Sequence, residues 1–314
     1  LGGGTGLSAL LRGLKHYVGS DRLRQLTGVV TVTDDGGSSG RLRRELGVLP
    51  PGDIRNCLVA LADDEDLLAR LFQYRFPGGD GLLGHSFGNL FLTALTGITG
   101  DFHQAILTAE SILSVRGKIC PATVQDVRLR GCGVSGRVYE GESAIGLSGE
   151  AIERLELDPA APPAFPPAVV SLERADLILL GPGSLYTSIL PNLLIPGIRQ
   201  AVAKSRARTV LLLNLMTQPG ETDGMSGLDH LKAIERFAGP GLVDDVLVSS
   251  SGIPRHLLEH YAETGSEPVC LSPDEVAERG IRVVEADLLA AGDDLIRHDP
   301  VKLARAVMEL LDHA

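Results

Sequence analysis

The residues best suited to chemistry sit in glycine turns and in polar loops. Gly2-Gly3-Gly4-Thr5-Gly6-Leu7-Ser8 stands before a helical pattern. Glycines let backbone N–H groups approach a phosphate, and the helix behind them adds its positive end. Gly3, Gly4, Thr5 and Gly6 are the candidate donors. No Lys-Ser or Lys-Thr closes the segment, so it is not a P-loop. Gly4-Thr5-Gly6-Leu7-Ser8-Ala9 fits only a relaxed dinucleotide fingerprint. The same glycines also make an ordinary tight turn, and the motif alone does not separate the two. Leu180-Gly181-Pro182-Gly183-Ser184 repeats this physics after the apolar run ADLILL, with Gly183 and Ser184 as candidates. Two such turns in one sheet suit a ligand with more than one anionic group, or a nucleotide and a second substrate.

Three further segments carry polar side chains. Thr33-Asp34-Asp35-Gly36-Gly37-Ser38-Ser39-Gly40-Arg41 places two acids before small residues and an arginine. Asp34 and Asp35 suit a ribose hydroxyl or Mg²⁺, and Arg41 suits a phosphate. A flexible loop with Asp35 capping a turn is the plainer reading. Gly84-His85-Ser86-Phe87-Gly88-Asn89 satisfies G-x-S-x-G, as does Gly36-Gly37-Ser38-Ser39-Gly40. A nucleophile elbow needs a strand directly before the serine; only Leu82 and Leu83 precede the first match, and the second is a run of small residues that meets the pattern easily by chance. Ser86 reads as a helix cap and Asn89 as a donor to a ligand amide or base edge. Asn214-Leu215-Met216-Thr217-Gln218-Pro219-Gly220-Glu221-Thr222-Asp223-Gly224 follows TVLLL, and its six polar side chains, with Asn214 and Thr217 as candidates, suit a neutral polar group such as a sugar or uracil. Pro50-Pro51-Gly52-Asp53-Ile54-Arg55-Asn56 is ordinary helix-start chemistry. His256 and His260 share a helix face with no third ligand, so no metal site is expected there.

Elements must hold these loops in place. Apolar spacing predicts helices over Leu7–Tyr17, Ile54–Leu61, Glu65–Gln73, Ser86–Leu95, Phe102–Leu113, Gly227–Phe237, Arg255–Thr264 and Pro300–Asp312, and one within Thr187–Ala203. Short β-branched or apolar runs predict strands at Leu26–Thr33, Leu177–Leu180, Thr209–Leu215, Val246–Ser249, Pro268–Leu271 and Val283–Glu285. The Gly-rich alternation from Thr123 to Ser143, continued at Ile152–Leu157, predicts short antiparallel strands. The Pro-rich Asp158–Pro167 reads as a surface connector. The expected fold is α/β: a mainly parallel, Rossmann-like sheet covered on both faces, in one domain over 1–314 with a β-rich insertion at about 123–167. A glycine turn of the first kind normally follows a strand, so a short strand is expected just upstream of Leu1.

Composition narrows the function. The chain has 314 residues, 44% hydrophobic, with net charge −11. That balance argues against a general nucleic-acid or anionic-membrane binder but leaves room for a local anion site. Cys57, Cys120, Cys132 and Cys270 show no C-x-x-C spacing and read as free thiols in a reducing cytosol. No stretch is apolar enough to insert in a membrane, because Leu177–Ile198 is broken by glycines and prolines. A homo-oligomer is left open.

GGGTGLS, TVTDDGGSSGRLR, PPGDIRNCLVAL, HSFGNLFLTAL, LILLGPGSLYTSILPNLLIPGI and NLMTQPGETDG, in this order, resemble the YvcK-type gluconeogenesis factor family. HYAETGSEPV and LIRHDPVKLA are similar too, so the likeness spans Gly2 to Leu311. The resemblance implies a three-layer α/β/α CofD-like fold, a cytoplasmic protein, and a role in carbon partitioning and cell shape during gluconeogenic growth. It implies binding of a nucleotide sugar, chiefly UDP-N-acetylglucosamine, with Tyr261 and Arg297 among the contacts. The related CofD transferases move phospholactate from a GDP-activated donor to a deazaflavin with Mg²⁺. That is the alternative, with Asp34 and Asp35 as its metal ligands. PPGDIRN and NLMTQPGETDG depart from that branch. No cofactor is required by the first reading beyond a UDP-sugar or another dinucleotide-like ligand. An NAD-dependent oxidoreductase has no hydride-site signature in its favour.

Overall fold

The computed structural model describes residues 1–63, 67–292 and 295–312. Helix α1 (Gly4–Leu14) follows Leu1–Gly2 after Gly3, its N-cap. Strand β1 (Thr27–Val30) leads to helices α2 (Gly37–Leu46), α3 (Gly52–Leu61), α4 (Leu67–Gln73), α5 (Phe87–Thr99) and α6 (Phe102–Ile112). Strand β2 (Lys118–Pro121) is followed by β3 (Arg128–Gly133), β4 (Val138–Glu140), the one-turn α7 (Glu142–Ile145), β5 (Ile152–Asp158) and α8 (Pro166–Glu173). Then come β6 (Leu177–Leu180), a π-helical turn at Leu185–Ile189, α9 (Leu190–Leu193) and α10 (Pro196–Lys204). The remainder is β7 (Arg208–Leu212), α11 (Gly227–Ala238), β8 (Asp245–Ser249), α12 (Arg255–Ala262), α13 (Pro273–Val276), β9 (Arg282–Ala286) and α14 (Pro300–Leu311).

Strands β6-β7-β8-β9 form a parallel sheet, and β1 pairs in parallel with β2. Leu1–Gly2 joins the two. Gly2 N–H donates to Val29 and Thr31 N–H to Gly2, while Gly181 N–H donates to Leu1. The spatial order is therefore β2-β1-Leu1/Gly2-β6-β7-β8-β9. The chain passes first to one side of Leu1–Gly2 and later to the other. That reversal is the point where open α/β sheets form a crevice beyond their strand ends.

Alternating side chains explain the layers. Val29, Ile178, Leu180, Leu211 and Val246 enter one core with α8 to α11. Val30, Val210, Leu212 and Leu247 enter the other with α1, α3, α6 and α14. A sheet buried on both faces needs apolar residues at both phases of its period-two pattern, which is why these strands read as continuous runs. The antiparallel sheet β4-β3-β5 caps the first core through Leu129, Ile152, Leu155 and Leu157. Among the described residues no helix is long and apolar enough to cross a membrane.

Some local expectations change. Gly37–Leu46 is a helix rather than a loop. Its small residues permit close packing: a Cβ on Gly40 would stand 1.9 Å from the Asp35 carbonyl oxygen. Pro268–Leu271 is not a strand. Pro268 makes only an isolated bridge to Met216. The connector at 158–167 ends in α8, where Pro166 takes the first helical position. Lys118–Pro121 is a strand that the pattern does not announce. The helix expected from Glu65 is α4 from Leu67, and Glu65 itself lies outside the described residues.

One ion cluster ties the far ends of three strands. The buried Asp245 carboxylate accepts from Arg208 Nε (2.7 Å), Arg208 Nη2 (2.6 Å) and Arg282 Nε (2.8 Å). Charge-assisted hydrogen bonds of this kind are worth about 1.5–3 kcal/mol each. Both arginines stay hydrated, so Asp245→Ala is expected to cost about 2–3 kcal/mol in total, read as a lower urea midpoint. A change below about 0.5 kcal/mol would mean that solvent replaces the cluster in full.

Candidate functional site

A cleft of about 1080 Å³ opens at the carboxyl ends of the strands, over the crevice. Its floor is Gly3–Gly6 and the face of α1 that carries Ser8, Ala9 and Arg12. Its walls are Pro182–Ser184, Asn214–Pro219 and the segment around Tyr261 and Ile296–His298. A second cavity, about 800 Å³, lies at the amino ends beside Thr27 and Leu177, where leucines share the lining with charged groups such as Arg22, Arg24, Glu110 and Lys118. The glycine turns do not line it.

The two glycine turns touch. A Cβ on Gly6 would lie 2.3 Å from the Pro182 carbonyl oxygen and 3.0 Å from Gly183 N. Gly4 opens α1 at φ +60°, a conformation that favours glycine. The N–H groups of the first helical turn have no helix carbonyl to bond. The Gly4 N–H is spoken for, since it donates to Asp53. Thr5 and Gly6 remain as first-turn donors on the cleft floor. Gly3 has room only for hydrogen: a Cβ there would stand 2.4 Å from Asp53 Oδ2.

The other sequence candidates divide into two groups. Gly183, Ser184, Asn214, Thr217, Tyr261 and Arg297 all line the cleft. Several of them are committed to shaping it. Asn214 accepts from Gly183 N–H (3.2 Å) and donates to the Gly183 carbonyl (2.9 Å), so it clamps the second turn. Thr217 Oγ1 accepts from Glu267 N–H at 2.8 Å and is buried. Ser184 Oγ accepts from Gln218 Nε2 at 2.9 Å. The Tyr261 hydroxyl accepts from Ile296 N–H at 3.1 Å and so fixes the loop that carries Arg297. Arg297 and Arg12 are exposed and make no ion pair with a described residue.

Asp34, Asp35, Arg41 and Asn89 do not line the cleft. Arg41 reaches away from it and donates to the Leu83 carbonyl. Asn89 is buried on α5, donating to Ser39 Oγ at 3.4 Å. Asp34 accepts from Gly36 N–H at 2.9 Å. Asp35 accepts from Ser143 N–H (2.9 Å) and Oγ (2.7 Å), which docks α7 on this loop. The docking brings Glu142 to the cleft wall, with one carboxylate oxygen buried and unpartnered.

Acids gather behind the glycine floor. Burial, then the Asp34 charge, pushes Asp53 up to about 7. Burial pushes Glu221 up to about 7, against the hydrogen bonds it accepts from Tyr186 and Thr187. Burial, with Asp53 and Asp34 as neighbours, drives Glu142 well above the carboxylate range. Among the described residues no group of three or more His, Cys, Asp or Glu is arranged to hold a metal ion. Asp35, a ligand in the transferase alternative, is taken up by Ser143. The acids as placed do not fit a Mg²⁺ site.

Sequence reasoning passed over Arg12 and His298, and took Gln218 only as one of six polar side chains in its loop. Arg12 had a signal, since residues 5, 8, 9 and 12 share one helix face. The other two are close to candidates in sequence, but what they bond follows from the fold alone.

A family profile described as 2-phospho-L-lactate transferase CofD matches residues 1–289. The chain belongs to the CofD family, in its gluconeogenesis-factor branch. It is 47% identical over 310 residues to the gluconeogenesis factor of Bacillus subtilis, covering 99% of this chain and 96% of that one. It is 51% identical over 311 residues to a putative gluconeogenesis factor of Nostoc sp., covering 98% of this chain and 67% of the relative. A solved structure of a protein member of the UPF0052 family from Bacillus halodurans matches with TM-score 0.92 at 46% identity, covering 98% of this chain and 97% of that one.

Proposed function

We propose that this chain is a nucleotide-sugar-binding regulator, with a ligand of the UDP-N-acetylglucosamine type, that serves carbon partitioning and cell shape under gluconeogenic growth. The observation that carries the reading is the cleft at the strand-order reversal, where two glycine turns meet below Arg297, which pairs with no described acid. Backbone donors of the first turn of α1 suit a diphosphate. Arg297 adds a charge-assisted bond from the opposite wall, and the Tyr261 ring supplies an apolar face with a polar tip. The gluconeogenic role follows the name of the relatives. Cytoplasmic placement agrees with four unpaired cysteines.

Calorimetric titration of UDP-N-acetylglucosamine, with GDP plus Mg²⁺ as the comparison, tests this reading. The sugar nucleotide is expected to bind selectively. Arg297→Ala is expected to weaken it about tenfold or more, the loss of one charge-assisted bond, with an unchanged thermal midpoint. Preference for GDP with Mg²⁺ would favour the transferase instead. An equal loss of binding and stability in Arg297→Ala would make that residue structural.

A further inference from the structure

Two residues that line the same cleft each keep a buried acceptor without a partner. Gln218 uses its Nε2 on Ser184, and its Oε1 has no hydrogen-bond partner. His298 bonds the Leu213 carbonyl, just past β7, and its Nε2 has no partner. A carbonyl accepts only from N–H, so the proton sits on Nδ1 and Nε2 presents a bare lone pair. Burial holds the imidazole down at about 4, against the opposing effect of the Leu213 bond, so it stays neutral at physiological pH. Both residues line the cleft on the side made by the carboxyl end of β7.

An unpartnered buried acceptor is costly, so a site that keeps two of them gains when a ligand supplies the missing protons. A phosphate or carboxylate cannot do so, because it would set lone pair against lone pair. Resting on the nucleotide-sugar reading, we propose that Gln218 and His298 form an acceptor wall that recognises neutral hydrogen-bond donors of the ligand. Those donors are hydroxyl or N–H groups. The wall selects against a second anionic group at this place, while α1 and Arg297 take the diphosphate. The ligand class is then a nucleotide diphosphate joined to a neutral, donor-bearing part.

The donors have two sources, the sugar and the nucleoside, and different probes separate them. UDP-N-acetylglucosamine, UDP-glucose and UDP are titrated into the wild type, Gln218→Met and His298→Phe. Each variant is expected to lose about five- to tenfold in affinity for UDP-N-acetylglucosamine, the worth of a hydrogen bond to a neutral donor. If UDP loses as much, the donor lies on the nucleoside. If UDP is unaffected, it lies on the sugar. A second measurement avoids any doubt over folding of the variants. In wild-type protein with ¹⁵N-labelled histidine, saturating ligand is expected to shift the His298 Nε2 resonance toward its hydrogen-bonded position and leave Nδ1 in place. Wild type that binds, with both variants unchanged in affinity or the Nε2 resonance unmoved, would overturn the acceptor wall alone. Wild type that binds none of the three probes would overturn the nucleotide-sugar reading as well.

Discussion

Gly6→Ala is expected to abolish measurable ligand binding while leaving a folded protein. The added Cβ would sit 2.3 Å from the Pro182 carbonyl oxygen and 2.7 Å from its carbon. Those are backbone atoms, so no side chain can swing aside. The two turns must separate by several tenths of an ångström or more. Overpacking of this kind costs about 1–3 kcal/mol, seen as a lower thermal midpoint. The effect on binding is larger, because the first-turn donors and the second turn then no longer face one ligand. Thr5→Ala is the control. The Thr5 side chain is exposed, and a reading based on backbone donors requires no more than about a twofold change there. Normal binding by Gly6→Ala, or a large loss in Thr5→Ala, would show that the anion is held elsewhere.

Asp53→Asn is expected to stabilise the protein at high pH. Asp53 lies behind Gly3, and burial next to Asp34 raises it from 3.8 to about 7. The folded state therefore holds a proton between about pH 4 and 7 that the unfolded chain has released. Stability is favoured below the unfolded value and falls as pH rises through the folded one. The cost at pH 8 is at most about 4 kcal/mol, from the size of the rise. Asparagine keeps an oxygen for the Gly4 N–H and carries no charge. Urea unfolding at pH 4.5 and pH 8 should show a small difference between variant and wild type at the lower pH. At the higher pH the variant should gain about 2–4 kcal/mol. Glu221, also raised to about 7, still titrates in the variant, so a residual decline with pH is expected. A variant less stable at pH 8 would mean that the Asp53 charge is compensated in the fold.

Much of this architecture was legible in the residues. Runs such as LILL and TVLLL are apolar at both phases because the sheet is covered twice, and periodicity reads that directly. Both glycine turns fall where the sheet reverses its strand order. Other parts were hidden for physical reasons. Ser38 and Ser39 have low helix propensity, yet tertiary contacts to His85 Nδ1 (2.8 Å) and Gly52 N–H (3.1 Å) hold them in α2. Asp34 and Asp35 have the residue type for a ribose hydroxyl or Mg²⁺, and Arg41 that for a phosphate, but their partners are this chain's own backbone and side chains. Spacing shows which groups are available. It does not show which are already bonded, and Asn214 and Thr217 belong to that class. The converse holds for Gln218 and His298, whose free atoms exist only because Ser184 and Leu213 engage the other end of each side chain.

A crystal structure of the protein with UDP-N-acetylglucosamine tests the central claim most directly. The diphosphate is expected over the first turn of α1, within hydrogen-bond reach of the Thr5 and Gly6 N–H groups, with Arg297 on the opposite side. Ligand density in the second cavity, at the amino ends of the strands, or a cleft left empty at saturating ligand, would contradict it.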